Sequence, residues 1–176
     1  MKKLALVILL FAFPAFAVVK ASPDLDQIIM RKEPTFEKVG AGSVKFFGMK
    51  IYDSELWAPK GHYGEKSPTA LGINYKWDVN RKDLVRTTRE ELVRVGNFTD
   101  EQLDNWSAQL ADIYPDIRNG DTIVAFAYPN KRVVFFYNGK YAGEVADPVF
   151  ANEYLNIWLS EKTSEPDARK AMLGMN

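Results

Sequence analysis

The sequence predicts an α+β fold, in which strands and helices occupy separate stretches of one domain. Three observations predict it. A strand-like stretch near residue 50 carries apolar residues on both faces, apolar residues recur at helical spacing between residues 80 and 115, and they alternate with polar ones between residues 122 and 145. Strands, then helices, then a meander of strands and final helices is an order typical of α+β domains.

The first 17 residues have the pattern of a cleavable secretory signal peptide. Lys2 and Lys3 form a positive start, the run Leu4–Phe16 is apolar, and small alanines stand one and three residues before the expected cut. The run is shorter than the ~20 residues that a membrane-spanning helix needs. We expect cleavage after Ala17, which leaves a single domain over residues 18–176 in the periplasm or the medium. A buried N-terminal helix or a retained anchor is the alternative.

The composition excludes several classes of protein. The 176 residues include 23 basic and 23 acidic side chains, and this balance argues against a nucleic-acid partner, which requires a basic surface. The absence of cysteine excludes disulfides, a thiolate nucleophile and cysteine metal ligands. The one histidine, His62, lies in a polar loop, and we interpret it as a solvated side chain. We therefore expect no metal and no cofactor.

The first half of the domain predicts two strands after an irregular leader over residues 18–35. The first strand covers residues 44–57, with Gly48 inside it as a bulge or a point of close backbone approach, and the second covers residues 70–77. The small residues 40–43 precede a strand and not a helix. We therefore interpret them as a turn and not as a phosphate-binding loop, which needs a helix N-terminus.

Two amphipathic helices are predicted next, and each has a recognisable start. Asn80 caps the first helix, which Gly96 ends. Thr99 and Gln102 form a capping box for the second helix, which ends before Pro115. Both helices carry an apolar stripe on one side, and this stripe is expected to face the core.

Three antiparallel strands and two helices are predicted for the last third of the chain. The strands cover residues 122–128, 132–137 and 141–145. Asn138-Gly139 is expected to form a two-residue hairpin turn, because both residues tolerate a positive φ. Asp147 caps a helix that is apolar nearly all round as far as Leu159, so that helix is expected to be buried. A short last helix is predicted within residues 164–174.

Polar residues on the first of the two central helices are candidates for a site. Thr88 interrupts the apolar stripe, so its hydroxyl either bonds the carbonyl one turn back or lines a cavity. Three arginines lie on the same helix among glutamates. They form either a solvated face with intrahelical ion pairs or a face from which one arginine, Arg86, turns inward to hold a carboxylate.

Three strings of residues resemble the chalcone isomerase-like family. Val44–Asp53 is similar to the K-F-x-G-x-K-V-Y string in the long strand of that family. Residues 136–150 resemble its G-x-x-x-G-x-I-x-D-x-x-F passage, and residues 157–174 resemble its C-terminal helix pair. The likeness is to the exported bacterial branch more than to the plant enzymes. It implies an open-faced β-sandwich, in which a large antiparallel sheet is backed by a layer of helices.

The resemblance does not carry over the catalytic residues of the plant enzymes, which close chalcones to flavanones without a cofactor. Those enzymes use an arginine just before the long strand, and residues 40–43 contain none. The position of their strand threonine holds Phe47, and the position of their late threonine or serine holds Ile157. Their tyrosine and asparagine fall, in a loose register, near Asn80, Arg81, Thr87 and Thr88. We therefore predict no catalytic residues.

A non-catalytic plant branch of the same family binds fatty acids through a tyrosine and an arginine. Tyr52 matches that tyrosine, and Arg86 is the candidate to replace the missing arginine. We expect an exported, non-catalytic protein that binds a small apolar or fatty-acid-like ligand through Tyr52, Arg86, Thr87 and Thr88. The alternatives are a cofactor-free isomerase or intramolecular lyase with an unknown substrate, and an envelope protein that binds a partner. An enclosed pocket favours ligand binding or catalysis, and a sealed core favours the partner-binding protein.

Overall fold

The structure is a computed structural model that describes residues 24–175. The predicted signal peptide of residues 1–17 lies outside the described residues. The strands are β1 (Phe36–Phe46), β2 (Met49–Pro59), β3 (Thr69–Tyr75), β4 (Thr122–Tyr128), β5 (Arg132–Tyr137) and β6 (Lys140–Val145). The helices are α1 (Leu25–Lys32), α2 (Arg81–Val95), α3 (Asp100–Ile113), α4 (Pro148–Glu153), α5 (Asn156–Leu159) and α6 (Pro166–Met172). None of the described helices is long and apolar enough to cross a membrane.

The six strands form one antiparallel sheet in sequence order, from β1 at one edge to β6 at the other. The larger hydrophobic core lies between one face of this sheet and the helices that follow β3. A smaller core lies on the opposite face, where α1 packs. The predicted α+β fold, with a large antiparallel sheet backed by a layer of helices, is therefore confirmed.

Helix α1 was not expected, because the sequence analysis treated residues 18–35 as an irregular leader. Asp24 caps this helix by accepting a hydrogen bond from the backbone of Asp26. Its apolar side, which includes Ile28 and Ile29, is buried against the face of the sheet that the other helices leave open. An eight-residue helix of this kind depends on tertiary packing for its stability, since isolated short helices are marginal in water.

The predicted strand over residues 44–57 is two strands joined by a hairpin turn. Phe47 and Gly48 occupy this turn with φ values of 48° and 80°. The turn at Asn138-Gly139, which was predicted correctly, has nearly the same values, 47° and 76°. Positive φ at both central residues is the mark of the type I′ hairpin turn. Gly48 therefore reverses the chain and does not form a bulge within one strand.

Residues 40–43 form part of β1 and not a turn. Gly40 and Gly42 lie directly against α6. A Cβ atom added at Gly42 would stand 2.8 Å from the carbonyl oxygen of Ala168, and one added at Gly40 would stand 2.6 Å from that of Met172. The two glycines thus allow α6 to approach the edge strand more closely than any side chain would permit.

The central helices begin where the sequence predicts, and the later buried helix is divided. Asn80 accepts a hydrogen bond from the backbone of Asp83, and the capping box at the start of α3 is present. The apolar helix predicted after Asp147 consists of α4 and α5. Between them, the backbone N–H groups of Ile157 and Trp158 bond carbonyls only three residues back, and this tightening ends the regular helix.

Candidate functional site

Hydroxyl-bearing aromatic side chains meet in the core between the sheet and the helical layer. Tyr52 comes from β2, Tyr75 from the end of β3, Tyr114 follows α3, and Tyr154 lies between α4 and α5. Trp158 on α5 completes the group, and all five contribute to the larger core. We call these five residues the tyrosine cluster. Each member combines a large apolar ring with one polar group, which is the combination that recognises a ligand with a polar end.

Two hydrogen bonds join four of the five polar groups of the tyrosine cluster in pairs. The hydroxyls of Tyr114 and Tyr154 are 2.9 Å apart, and the indole N–H of Trp158 donates to the hydroxyl of Tyr52 over 2.9 Å. The rings also pack edge to face or tilted, with centroids 5.8 Å apart for Tyr52 and Tyr75 and 5.5 Å apart for Tyr154 and Trp158. Among the described residues, no buried side-chain nitrogen or oxygen lacks a hydrogen-bond partner.

The aromatic rings of the tyrosine cluster pack against one another and leave no open pocket between them. A small cavity beside the cluster is lined by Tyr114, Ile123 and Phe135, and it has no room for a water molecule. A groove of about 260 Å³ lies elsewhere, on the surface between α1 and the turn that joins β5 to β6. A sealed core of this kind was the feature expected of a partner-binding protein. A ligand that binds among the tyrosines must therefore displace side chains that now touch one another.

Thr88 lies at the inner side of α2 and is buried. Its hydroxyl donates to the carbonyl of Leu84 over 2.8 Å, which is the first of the two roles that the sequence left open. Burial raises the pKa of Tyr114 to about 12, although its hydrogen bonds with Tyr154 and Thr88 oppose that rise. Thr88 is therefore a neighbour of the tyrosine cluster.

Two acidic side chains, Glu165 and Glu91, influence Tyr52, and Glu91 is itself paired with Arg94 at 3.2 Å. Burial raises the pKa of Tyr52, the hydrogen bond from Trp158 opposes the rise, and the charges of Glu165 and Glu91 add to it. Burial also raises the pKa of the Glu165 carboxyl, and the negative charges of Glu91 and Asp167 add to that effect. At neutral pH the hydroxyl of Tyr52 is thus an uncharged hydrogen-bonding group, and it cannot act as an anionic base.

Arg86 lies outside this region, on the solvent side of α2, with 55% of its side chain exposed. Its guanidinium donates to Glu90 over 2.9 Å and to Asp83 over 3.2 Å. Thr87 is exposed as well. The structure brings together Tyr52 and Thr88 of the four predicted site residues, and it corrects the expectation that Arg86 turns inward to hold a carboxylate.

Two of the positions compared with catalytic residues of the plant enzymes, Phe47 and Ile157, carry no hydrogen-bond donor in their side chains. Phe47 lies at the exposed end of the β1–β2 hairpin, so its alignment with a threonine inside a strand was wrong. Ile157 is buried on α5. His62 is exposed, and the described residues contain no cluster of histidine and acidic side chains that would hold a metal ion.

The sequence analysis missed Tyr75, Tyr114 and Tyr154. Tyr75 is the last residue of β3, and Tyr114 is the C-cap of α3. The available signal was their chemistry, since tyrosine in place of phenylalanine at a buried position requires a partner for its hydroxyl. The partners are distant in sequence, so this signal identifies candidates without pairing them.

Comparisons with known proteins bear on the fold and on the family. A family model described as chalcone isomerase-like matches residues 21–174. No curated protein matches the sequence. Among solved structures, a fatty-acid binding protein of Arabidopsis thaliana is similar, with a TM-score of 0.63 and 15% identity. The match covers 79% of this chain and 87% of the plant protein. At that identity, the likeness shows a shared fold.

Proposed function

The chain belongs to the chalcone isomerase-like family, and from this membership we propose that it is a non-catalytic protein that binds a small apolar or fatty-acid-like ligand. The tyrosine cluster is the observation that carries this proposal, because it places uncharged hydrogen-bonding groups within an aromatic interior. Binding sites for small molecules are mostly apolar and contain a few placed polar groups. The similar plant structure is itself described as a fatty-acid binding protein.

The electrostatics of the region argue against isomerase chemistry. Closing the ring of a chalcone places negative charge on the substrate, and an enzyme stabilises that charge with cations or hydrogen-bond donors. Here burial is the main cause that raises the pKa of Tyr52, and the charges of Glu165 and Glu91 add to it, so the region disfavours a further anion. Ile157, at the position of the late threonine or serine of the plant enzymes, supplies no donor.

Tyr52 marks the route by which we infer that a ligand reaches the interior. The other four members of the tyrosine cluster are buried, whereas Tyr52 is only half-buried. Its hydroxyl is held by the indole of Trp158, which lies on the four-residue helix α5. A ligand that replaces this one hydrogen bond opens the space between β2 and α5 without disturbing the Tyr114–Tyr154 pair.

The polar end of the ligand is inferred to be uncharged where it meets Tyr52. A carboxylate would lie near the negative charge of Glu165 and near Glu91, whose charge is offset by its ion pair with Arg94. Arg86 is engaged with Asp83 and Glu90 on the outside of α2. An alcohol, or a fatty acid in its protonated form, hydrogen-bonds to neutral hydroxyls without this repulsion. We therefore expect a fatty alcohol to bind at least as tightly as the ionised acid of equal length.

Calorimetric titration with saturated fatty acids and alcohols of increasing length tests the proposal. Each added CH₂ that is buried contributes ~0.8 kcal/mol, or about fourfold in affinity, until the space is full. Tyr52→Phe should reduce the preference for the alcohol, because it removes the hydroxyl at the polar end. Arg86→Ala is the matched control and should bind as the wild type does. Native mass spectrometry of the purified protein should reveal retained ligand as added mass.

Two results would contradict this proposal in different ways. If no chain length binds and no ligand copurifies, the protein is not a carrier of this kind, and the aromatic rings only fill the core. If ionised acids bind more tightly than alcohols and Arg86→Ala abolishes that preference, the ligand lies at α2 and not at the tyrosine cluster.

We also propose that the protein acts outside the cytoplasm after cleavage behind Ala17. The order of basic start, apolar run and small residues before the cut supports this proposal. The intact mass of the exported protein should lack the first 17 residues. Recovery of the full-length chain from the cytoplasm alone would contradict it.

A further inference from the structure

The end of the β1–β2 hairpin exposes large apolar side chains. Phe46 is 61% exposed, Phe47 is 89% exposed and Met49 is 47% exposed. The rings of Phe46 and Phe47 contact each other edge to face, with their centroids 4.5 Å apart. We call Phe46, Phe47, Gly48 and Met49 the hairpin tip. Exposed apolar groups gathered at one place mark an interaction site more often than scattered ones do.

The backbone conformation at Phe47 is unfavourable for a phenylalanine, so this residue does not stabilise the fold as well as asparagine or glycine would. Its φ of 48° is a left-handed conformation that bulky residues rarely adopt. The chain forms the same turn with Asn138 and Gly139, and asparagine is favoured at the first position of a type I′ turn. A strained residue that is also almost fully exposed gains little from the fold, so its side chain is expected to serve an interaction.

Three lysines and one aspartate lie close to the hairpin tip, so an excess of positive charge remains there. Lys45 and Lys50 are paired across the two strands, and Asp53 forms ion pairs with Lys50 at 2.9 Å and with Lys76 at 3.4 Å. Lys76 lies at the same end of the sheet, because its backbone N–H bonds the carbonyl of Ile51 in β2. Trp77, the next residue, is 52% exposed. Apolar and aromatic side chains ringed by lysines suit the boundary of a membrane with anionic headgroups.

We propose that the hairpin tip inserts into the headgroup region of an anionic lipid surface. The tip is the convex end of a two-stranded hairpin, and Phe47 projects from the turn itself. A convex apolar end can enter the headgroup layer of a bilayer while the flanking lysines meet lipid phosphates. This proposal is independent of ligand binding at the tyrosine cluster, and either can fail without the other.

Cosedimentation with vesicles tests the lipid proposal. The purified protein is mixed with vesicles of phosphatidylglycerol and phosphatidylcholine in equal amounts, and with vesicles of phosphatidylcholine alone. Binding should be stronger to the anionic vesicles, and it should weaken as salt screens the lysines. Phe47→Asn should bind at least about tenfold more weakly, because it removes a large apolar side chain from the interface.

The choice of Phe47→Asn separates binding from folding. Asparagine suits the positive φ at this turn, so the variant should unfold at an equal or higher urea midpoint than the wild type. Val93→Gln is the control, because Val93 is an exposed apolar residue, at 52%, but lies near the C-terminal end of α2. It should bind vesicles as the wild type does.

Three results would overturn the proposal. They are failure of the wild type to bind anionic vesicles, equal binding by Phe47→Asn, and equal loss of binding by Val93→Gln. Association of wild-type molecules in solution that Phe47→Asn abolishes, without any vesicle binding, would show that the hairpin tip contacts a second protein molecule and not lipid.

Discussion

The hydrogen bond between Trp158 and Tyr52 predicts a measurable coupling between two residues that are far apart in sequence. Trp158 is only 8% exposed, and its indole N–H donates to the hydroxyl of Tyr52 over 2.9 Å. Trp158→Phe keeps a ring against Tyr154 but leaves that hydroxyl without its donor. Tyr52→Phe leaves the indole N–H without its acceptor. Each change should lower the free energy of unfolding by ~1–3 kcal/mol, the usual cost of an unpaired buried polar group.

The double variant distinguishes the hydrogen bond from simple loss of packing. With both partners removed, no polar group is left unpaired, so the combined loss should be smaller than the sum of the single losses by ~1 kcal/mol or more. Trp158→Ala removes the ring as well and should cost ~3–5 kcal/mol. Urea unfolding gives these free energies, and His62→Ala should lie within ~0.5 kcal/mol of the wild type. Additive single losses, or a harmless Trp158→Ala, would refute this account of the cluster.

Three further predictions concern packing, pH and catalysis. Gly42→Ala should lose ~1–3 kcal/mol of stability in urea unfolding, because the added methyl meets the backbone of α6, whereas Ala41→Ser should change little. Partial burial acts to raise the pKa of Asp147, but hydrogen bonds from Trp106 and from two backbone N–H groups outweigh it and lower that pKa. Its contribution to stability should be complete above the unfolded pKa of ~3.9 and lost as pH falls through the lower folded value, and Asp147→Asn should flatten that part of the pH profile. The purified protein should form no flavanone from chalcone above the uncatalysed rate; product formed with turnover would contradict the non-catalytic proposal.

Local signals in the sequence predict a large part of this fold. The caps at Asn80 and Thr99 act on backbone groups three residues away, so the residues that form them lie close together in the sequence. The Asn138-Gly139 turn is equally local. Helices and strands that begin and end in this way were placed close to their observed bounds.

Of the elements that were not predicted, one is a local turn with an unusual residue, and the others depend on contacts between distant parts of the chain. Phenylalanine is common in strands, so Phe47 concealed the turn that Gly48 makes possible. Small residues at positions 40–43 resemble a loop, and their place in β1 is explained by the close approach of α6 about Ala168. Helix α1 is defined by burial against the far face of the sheet. None of these contacts has a signature within a short stretch of sequence.

Two residues of the site region were predicted, Tyr52 from the family resemblance and Thr88 from a departure from its local pattern. Thr88 was found because it interrupts an apolar stripe. The outward position of Arg86 was also predictable, because Asp83 and Glu90 stand three and four residues away, at the spacing of intrahelical ion pairs. The Tyr114–Tyr154 pair spans 40 residues, and only the fold brings its two hydroxyls together.

The proposed lipid contact and the proposed ligand site both include residues of strand β2. Tyr52 follows Met49 of the hairpin tip by three residues, and a strand rises ~3.3 Å per residue, so the two lie ~10 Å apart. Amphipathic protein segments bury their apolar side ~5–10 Å into the boundary of headgroups and acyl chains. A tip inserted to that depth would hold the half-buried edge of Tyr52 at the headgroup level, so an amphipathic ligand would pass between bilayer and tyrosine cluster with little exposure to water. Loss of Phe47 would then slow transfer of ligand from vesicles while leaving the affinity measured in solution unchanged, because Phe47 does not touch the cluster.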